Sequence, residues 1–175
     1  MTGQQSAWLI PPATSRPGAV RLFCFPYAGG NAGIFRDWPS LVPAGVEIWP
    51  VELPGRARRL FEDPIDSCSG LAEECATAIA PFLGQRHAFF GHSMGGLLGF
   101  EVARTLRGRG AGGPGHFFAS GCRAPHVSDR RTPIHALPQH EFLRALNDFG
   151  GTPREVLESS EDAFEQILEP QDTLT

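Results

Sequence analysis

Apolar residues recur along this chain in two rhythms, and the switching between them predicts a layered α/β protein. Val20 to Phe25 is a nearly continuous apolar run, suited to a strand buried on both faces, and Pro26 stops it. Ile34, Phe35, Trp38 and Leu41 suggest a short helix that Pro39 interrupts. Val46 to Val51 predicts a second strand, leading into Leu53-Pro54-Gly55-Arg56. Ser67 suits a helix N-cap, and Leu71, Cys75, Ile79 and Phe82 then share one helical face until Gly84. His87 to Phe90 predicts a third strand. Leu97, Leu98, Val102 and Leu106 predict the next helix, ending near Gly108. A glycine-rich connector, Gly108 to Gly115, leads to a fourth strand, His116 to Ser120. Strands alternating with helices imply a mostly parallel sheet with helices on both faces.

After Ser120 the rhythm changes. Gly121 to Leu137 reads as a long connection carrying Arg123, Arg130 and Arg131. Pro138 suits a first helical position, and Phe142, Leu146 and Phe149 form an apolar stripe ended by Gly150-Gly151. Thr152-Pro153-Arg154-Glu155 is a capping box, and Ser159-x-x-Asp162 resembles another before Phe164, Ile167 and Leu168. No strand separates these helices. Their apolar stripes suit a lid over an active site or an ordinary helical layer. The expected organisation is a loose, Pro-rich lead-in over 1–18, an α/β core over 19–127 and a helical lid region over 128–175.

Composition narrows the function. A chain of 175 residues, 41% hydrophobic and 19% charged, is a globular domain with a real core. A net charge of −4 argues against a nucleic-acid binder. All 15 basic residues are Arg, which beside the abundant Gly, Ala and Pro reads as a coding bias. With no apolar run that spans a bilayer and no secretory leader, the expected compartment is the cytoplasm. Cys24, Cys68, Cys75 and Cys122, mostly in apolar contexts, then read as reduced core thiols. His140-Glu141 begins like a zinc-binding helix, but Arg144 stands where the second histidine belongs. Gly108 to Gly113 matches G-x-G-x-x-G, yet it follows a helix and precedes a strand, the reverse of a dinucleotide site. No metal and no bound cofactor is expected.

The chemistry centres on Gly91-His92-Ser93-Met94-Gly95, set between the third strand and a helix. That order is a nucleophile elbow, in which Ser93 occupies a sharp turn and a Cβ at either glycine would collide with its surroundings. The candidate oxyanion donors are the N–H of Met94 and that of Ala28, with Gly29 the alternative, from the loop after the first strand. In this chain order the acid and then the histidine follow the serine on later strands. None is evident here. His92 is too close in sequence to take the Ser93 proton, and His87 and His116 begin strands at the far end. His126, His135 and His140 fall in the connector or lid, and no strand places Asp129 or Asp148 near Ser93. Arg56, Arg58 and Arg59 suit contact with a phosphate or acidic partner, or a solvated basic loop.

At these residues the chain resembles the type II (editing) thioesterases of polyketide and non-ribosomal peptide synthesis. The matching stretches are Phe25-Pro26-Tyr27-Ala28-Gly29-Gly30, Leu53-Pro54-Gly55-Arg56, Phe90 to Gly96, and Ser120-Gly121-Cys122-Arg123-Ala124-Pro125, in that order. Leu137 to Leu157 looks like the family's lid. The resemblance implies an α/β-hydrolase fold and a serine thioesterase that removes acyl groups from the phosphopantetheine arm of acyl or peptidyl carrier proteins, clearing stalled or misprimed synthases. It makes Ser93 the nucleophile, with Met94 and Ala28 forming the oxyanion hole. The family continues into two further strands bearing an Asp and a Gly-x-His-Phe histidine, which have no counterpart here. In some relatives the acid follows the strand matching His116 to Ser120, where this chain has Ser120, Gly121 and Cys122. The expectation is therefore a shortened chain with the last strands missing and slight turnover. A non-catalytic carrier-binding fragment and a small-molecule esterase of the same fold are the alternatives.

Overall fold

Strands β1 (Val20–Phe25), β2 (Val46–Pro50), β3 (His87–His92) and β4 (His116–Ser120) form one sheet in the order β2-β1-β3-β4, every neighbouring pair parallel. This computed structural model describes residues 6–125 together with Val127, Leu137, Pro138 and Glu141. The chain divides into two compact units, Met1–Val127 and Ser128–Thr175. The expected lid helices fall outside the described residues, as do His126, Asp129, His135, His140 and Asp148.

Alternation along the strands sorts the core into two layers. Phe23 pairs in register with Trp49 and Phe89, and with Phe25 these rings face helices α1 (Cys68–Ile79) and α2 (Met94–Gly108). Phe89 meets Phe23 and Phe25 edge-on, at centroid separations of 5.8 and 5.2 Å. Cys75, Ala76 and Ile79 of α1 and Leu98, Val102 and Leu106 of α2 complete that layer. On the opposite face Cys24 and Ile48 pack with Phe35, Trp38 and Phe90.

Four expectations need correction. Helices do not cover both faces among the described residues: α1 and α2 share one face, and 3₁₀ turns at Ala32–Phe35 and Trp38–Ser40 contribute the cover on the other. Pro39 sits at the start of the second turn, where its missing N–H is harmless, so no single helix runs through 34–41 and Leu41 is left 77% exposed. Helix α1 starts at its Ser67 cap, whose Oγ accepts the Gly70 N–H at 3.2 Å, but stops at Ile79. Pro81 cannot continue the ladder, and Ala80–Phe82 tightens into a 3₁₀ turn. The lead-in is not loose over its described part. Leu9 is 3% exposed and bridges Val51 antiparallel, with Ile10 N–H donating to Pro50 O and Glu52 N–H to Trp8 O. The triplet Trp8-Leu9-Ile10 supplies the apolar surface that ties this segment down.

Candidate active site

Because the strands run parallel, the segments after β1, β2, β3 and β4 all emerge at one edge of the sheet. At that edge β3 ends in His92 and the chain turns into α2 through Ser93, whose φ of 52° and ψ of −118° are unusual for a residue with a side chain. Three main-chain bonds hold the turn. Ser93 N–H donates to Ser120 O at 2.8 Å, and Ser93 O accepts from Gly96 N–H at 3.0 Å and Leu97 N–H at 3.4 Å. Both flanking glycines are sterically required. A Cβ on Gly91 would overlap the carbonyl of Gly95, and one on Gly95 would overlap the Phe25 carbonyl and lie 2.7 Å from that of Pro26. The first turn of α2 is thus seated against the junction of β1 with its following loop.

That loop is a tight turn. Gly30 N–H donates to Tyr27 O at 3.0 Å, and Gly29 has φ +79°, the value a type II turn demands at its third residue. Ala28 and Gly29 are exposed, while Ser93 and Met94 are half-buried. Neither Ala28 N–H nor Met94 N–H has an acceptor among the described residues, and Ser93 Oγ has no hydrogen-bond partner among them either.

His92 turns away from Ser93: its Nδ1 lies 3.0 Å from Ser120 Oγ, and its ring meets Tyr27 edge-on at 6.0 Å. Gly121, at φ +59°, makes room for that ring, which a Cβ there would strike. His87 opens β3 at the far end, its Nδ1 3.1 Å from Gln85 O, and exposed His116 opens β4 stacked on Phe118.

The three clustered arginines separate. Arg59 is buried, donates from Nε and Nη2 to both Glu62 oxygens and from Nη1 to Glu52 O, and lies 4.1 Å from the centroid of Trp8. Arg56 reaches back to the Tyr27–Gly30 turn, with Nη1 2.8 Å from Gly30 O and 3.3 Å from Tyr27 O. Arg58 is the outward-facing member, 61% exposed and 3.8 Å from Glu52. Sequence pattern alone did not separate these roles, because all three side chains look alike in a Pro-Gly loop. A cavity of about 410 Å³ opens beside this loop, lined in part by Ile10, Phe35, Ile48, Glu52 and Arg58; Ser93 is not in its wall.

The cysteines divide by burial. Cys24 and Cys75 lie in the core, whereas Cys68 at the start of α1 is exposed, which corrects its assignment to the core, and Cys122 is half-buried against Gly96. Burial pushes the Cys75 thiol up to about 12, raises Cys24 further, and together with the Glu101 charge raises Cys68.

A parallel sheet delivering a serine through a strained strand-to-helix turn defines the α/β-hydrolase class of proteins. The chain belongs to the thioesterase family, whose thioesterase-domain profile matches residues 20–170. It is 45% identical to the linear gramicidin dehydrogenase LgrE of Brevibacillus parabrevis over 164 residues, covering 94% of this chain and 62% of that protein. To the gramicidin S biosynthesis protein GrsT of Aneurinibacillus migulanus it is 37% identical, with 90% and 62% covered. Among solved structures, the RedJ thioesterase of prodiginine biosynthesis in Streptomyces coelicolor superposes with a TM-score of 0.69 at 42% identity, over 80% of this chain and 55% of that one. YbtT, a type II thioesterase of the yersiniabactin pathway, gives 0.74 at 33% identity, over 89% and 63%. The chain therefore spans less than two thirds of these relatives. The dehydrogenase in one relative's name finds no dinucleotide fingerprint here: Gly108–Gly113 leaves α2 and leads to β4, with no helix N-terminus to meet a pyrophosphate.

Proposed function

We propose that this chain carries the nucleophilic serine of a type II editing thioesterase, which hydrolyses acyl groups from the phosphopantetheine arm of acyl or peptidyl carrier proteins. The observation that carries the reading is the Ser93 backbone, at φ 52° between two glycines that tolerate no Cβ. Backbone strain of this sort persists where it has a use, and here it presents a hydroxyl at the end of β3 beside the N-terminus of α2. Ser93 Oγ attacks the thioester carbonyl, and the N–H groups of Met94 and Ala28, both without acceptors among the described residues, receive the charge on the tetrahedral oxygen. The thiol of the pantetheine arm leaves, and water releases the acyl group from Ser93. The pantetheine arrives on the partner, so no cofactor of the protein's own is called for. The relatives named for gramicidin S and yersiniabactin biosynthesis support carrier proteins as partners. Four free cysteines support a reducing, cytoplasmic setting.

The test is covalent. A fluorophosphonate is expected to label Ser93, located by mass spectrometry, and Ser93→Ala to abolish both labelling and hydrolysis of acyl-carrier thioesters. Labelling at another residue, or undiminished hydrolysis by Ser93→Ala, overturns the assignment. Preference for p-nitrophenyl esters over pantetheine thioesters would select a small-molecule esterase, and carrier binding without acyl release a non-catalytic module.

A further inference from the structure

We propose that Arg56 is a positioning residue that fixes the plane of the Ala28 amide, an inference resting on the reading of that amide as an oxyanion donor. Tyr27 C=O and Ala28 N–H belong to one planar trans peptide unit, so they point in opposite directions and turn together. Arg56 Nη1 lies 3.3 Å from Tyr27 O and 2.8 Å from Gly30 O, and thus one guanidinium nitrogen spans both ends of the turn. Holding the Tyr27 carbonyl toward Arg56 holds the Ala28 N–H away from it. Tyr27 O also accepts the Gly30 N–H, so rotating this peptide would break two bonds at once.

The arginine is itself delivered by a closed turn. Arg59 N–H donates to Arg56 O at 2.7 Å and Gly55 N–H to Arg59 O at 3.0 Å, while Arg59 is anchored by Glu62 and Glu52. A second tie joins the same two segments: the buried Glu52 carboxylate accepts the Ala32 N–H at 3.3 Å. The Leu53-Pro54-Gly55-Arg56 stretch therefore serves the Tyr27–Gly30 loop as a brace. A lysine at 56 would keep the charge but replace the rigid, planar guanidinium with a flexible, strongly hydrated ammonium.

Fluorophosphonate labelling of Ser93 in Arg56→Met, Arg56→Lys and a control, Arg104→Met, tests this. Arg104 lies on the exposed face of α2, paired with Glu101. The inactivation rate constant of Arg56→Met is expected to fall roughly 10- to 100-fold, as for a misplaced donor and short of the roughly 100- to 1000-fold of one removed outright, with reagent affinity little changed. Arg56→Lys should fall between wild type and Arg56→Met, and millimolar guanidinium should restore part of the Arg56→Met rate. Amide hydrogen exchange over 27–30 should quicken in Arg56→Met and not in Arg104→Met. An Arg56→Met labelling rate equal to wild type, or a slower one that guanidinium does not raise, overturns the proposal. If Arg56→Met fails to fold, Arg56→Lys decides, and a wild-type rate there is equally fatal. Wild-type protein left unlabelled at Ser93 overturns the nucleophile reading itself, a failure distinct from that of Arg56.

Discussion

Ser93 holds a backbone conformation that costs on the order of 1–3 kcal/mol for a residue with a side chain, and its neighbours are chosen to let it do so. Gly91 and Gly95 meet main-chain carbonyls, which cannot swing aside, whereas Gly96 meets the thiol end of Cys122, which can. The three sites should therefore respond differently to one added methyl group. Gly91→Ala and Gly95→Ala are expected to lose about 3 kcal/mol or more, the upper range of overpacking, by urea denaturation. Gly84→Ala, whose Cβ would enter open space, should change little. Gly96→Ala should fall between, and pairing it with Cys122→Ala should recover part of the loss, a positive coupling in a double-mutant cycle. This much was legible in advance, because G-x-S-x-G between a strand and a helix has one steric explanation. The Arg56 contact was not, since nothing local in Pro54-Gly55-Arg56 says that its guanidinium turns back across 26 residues to Gly30.

Elements with a continuous apolar rhythm were readable to within a residue or two. β1, β4 and α2 fall where their runs of Val, Phe and Leu place them, as tertiary burial and local pattern agree there. Short or proline-broken segments were not. Pro39 and Pro81 divert their stretches into 3₁₀ turns, and the lead-in takes its order from an antiparallel bridge to Val51 that lies 42 residues away. That bridge is reinforced by Arg59, which stacks on Trp8 and grips Glu62. The Arg59 guanidinium, chiefly through its hydrogen bonds, holds the exposed Glu62 carboxyl below its usual pKa. A carboxyl with a lowered folded-state value contributes stability above its unfolded value and loses it as pH falls through the folded one. Melting temperature should accordingly drop on acidification below the ordinary glutamate range. Glu62→Gln should flatten that part of the profile, and an unchanged profile would deny the contact a role in stability.

Across the whole molecule, the parallel order β2-β1-β3-β4 explains how motifs scattered from Phe25 to Cys122 meet. The same sheet buries Cys24 and shelters Cys75 behind α1, where low dielectric keeps both thiols protonated. In native protein a disulfide reagent is expected to modify Cys68 first and to reach Cys24 and Cys75 only on unfolding, as peptide mapping would reveal. Rapid native modification of Cys24 would contradict the packing of Cys24 with Ile48 and Phe35. The site's second half was less legible than its first. The proposed nucleophile and oxyanion donors, Ser93, Met94 and Ala28, are read from chain order, whereas an acid and a base would need long-range placement that local pattern does not give. The opposite rim of the sheet has a practical use. There the chain enters β2 and β3 through Gly45 and Gly84, where an added atom meets nothing and the backbone is not left-handed. A biotin or dye attached along that rim would anchor the molecule to a sensor chip by the edge of the sheet opposite Ser93.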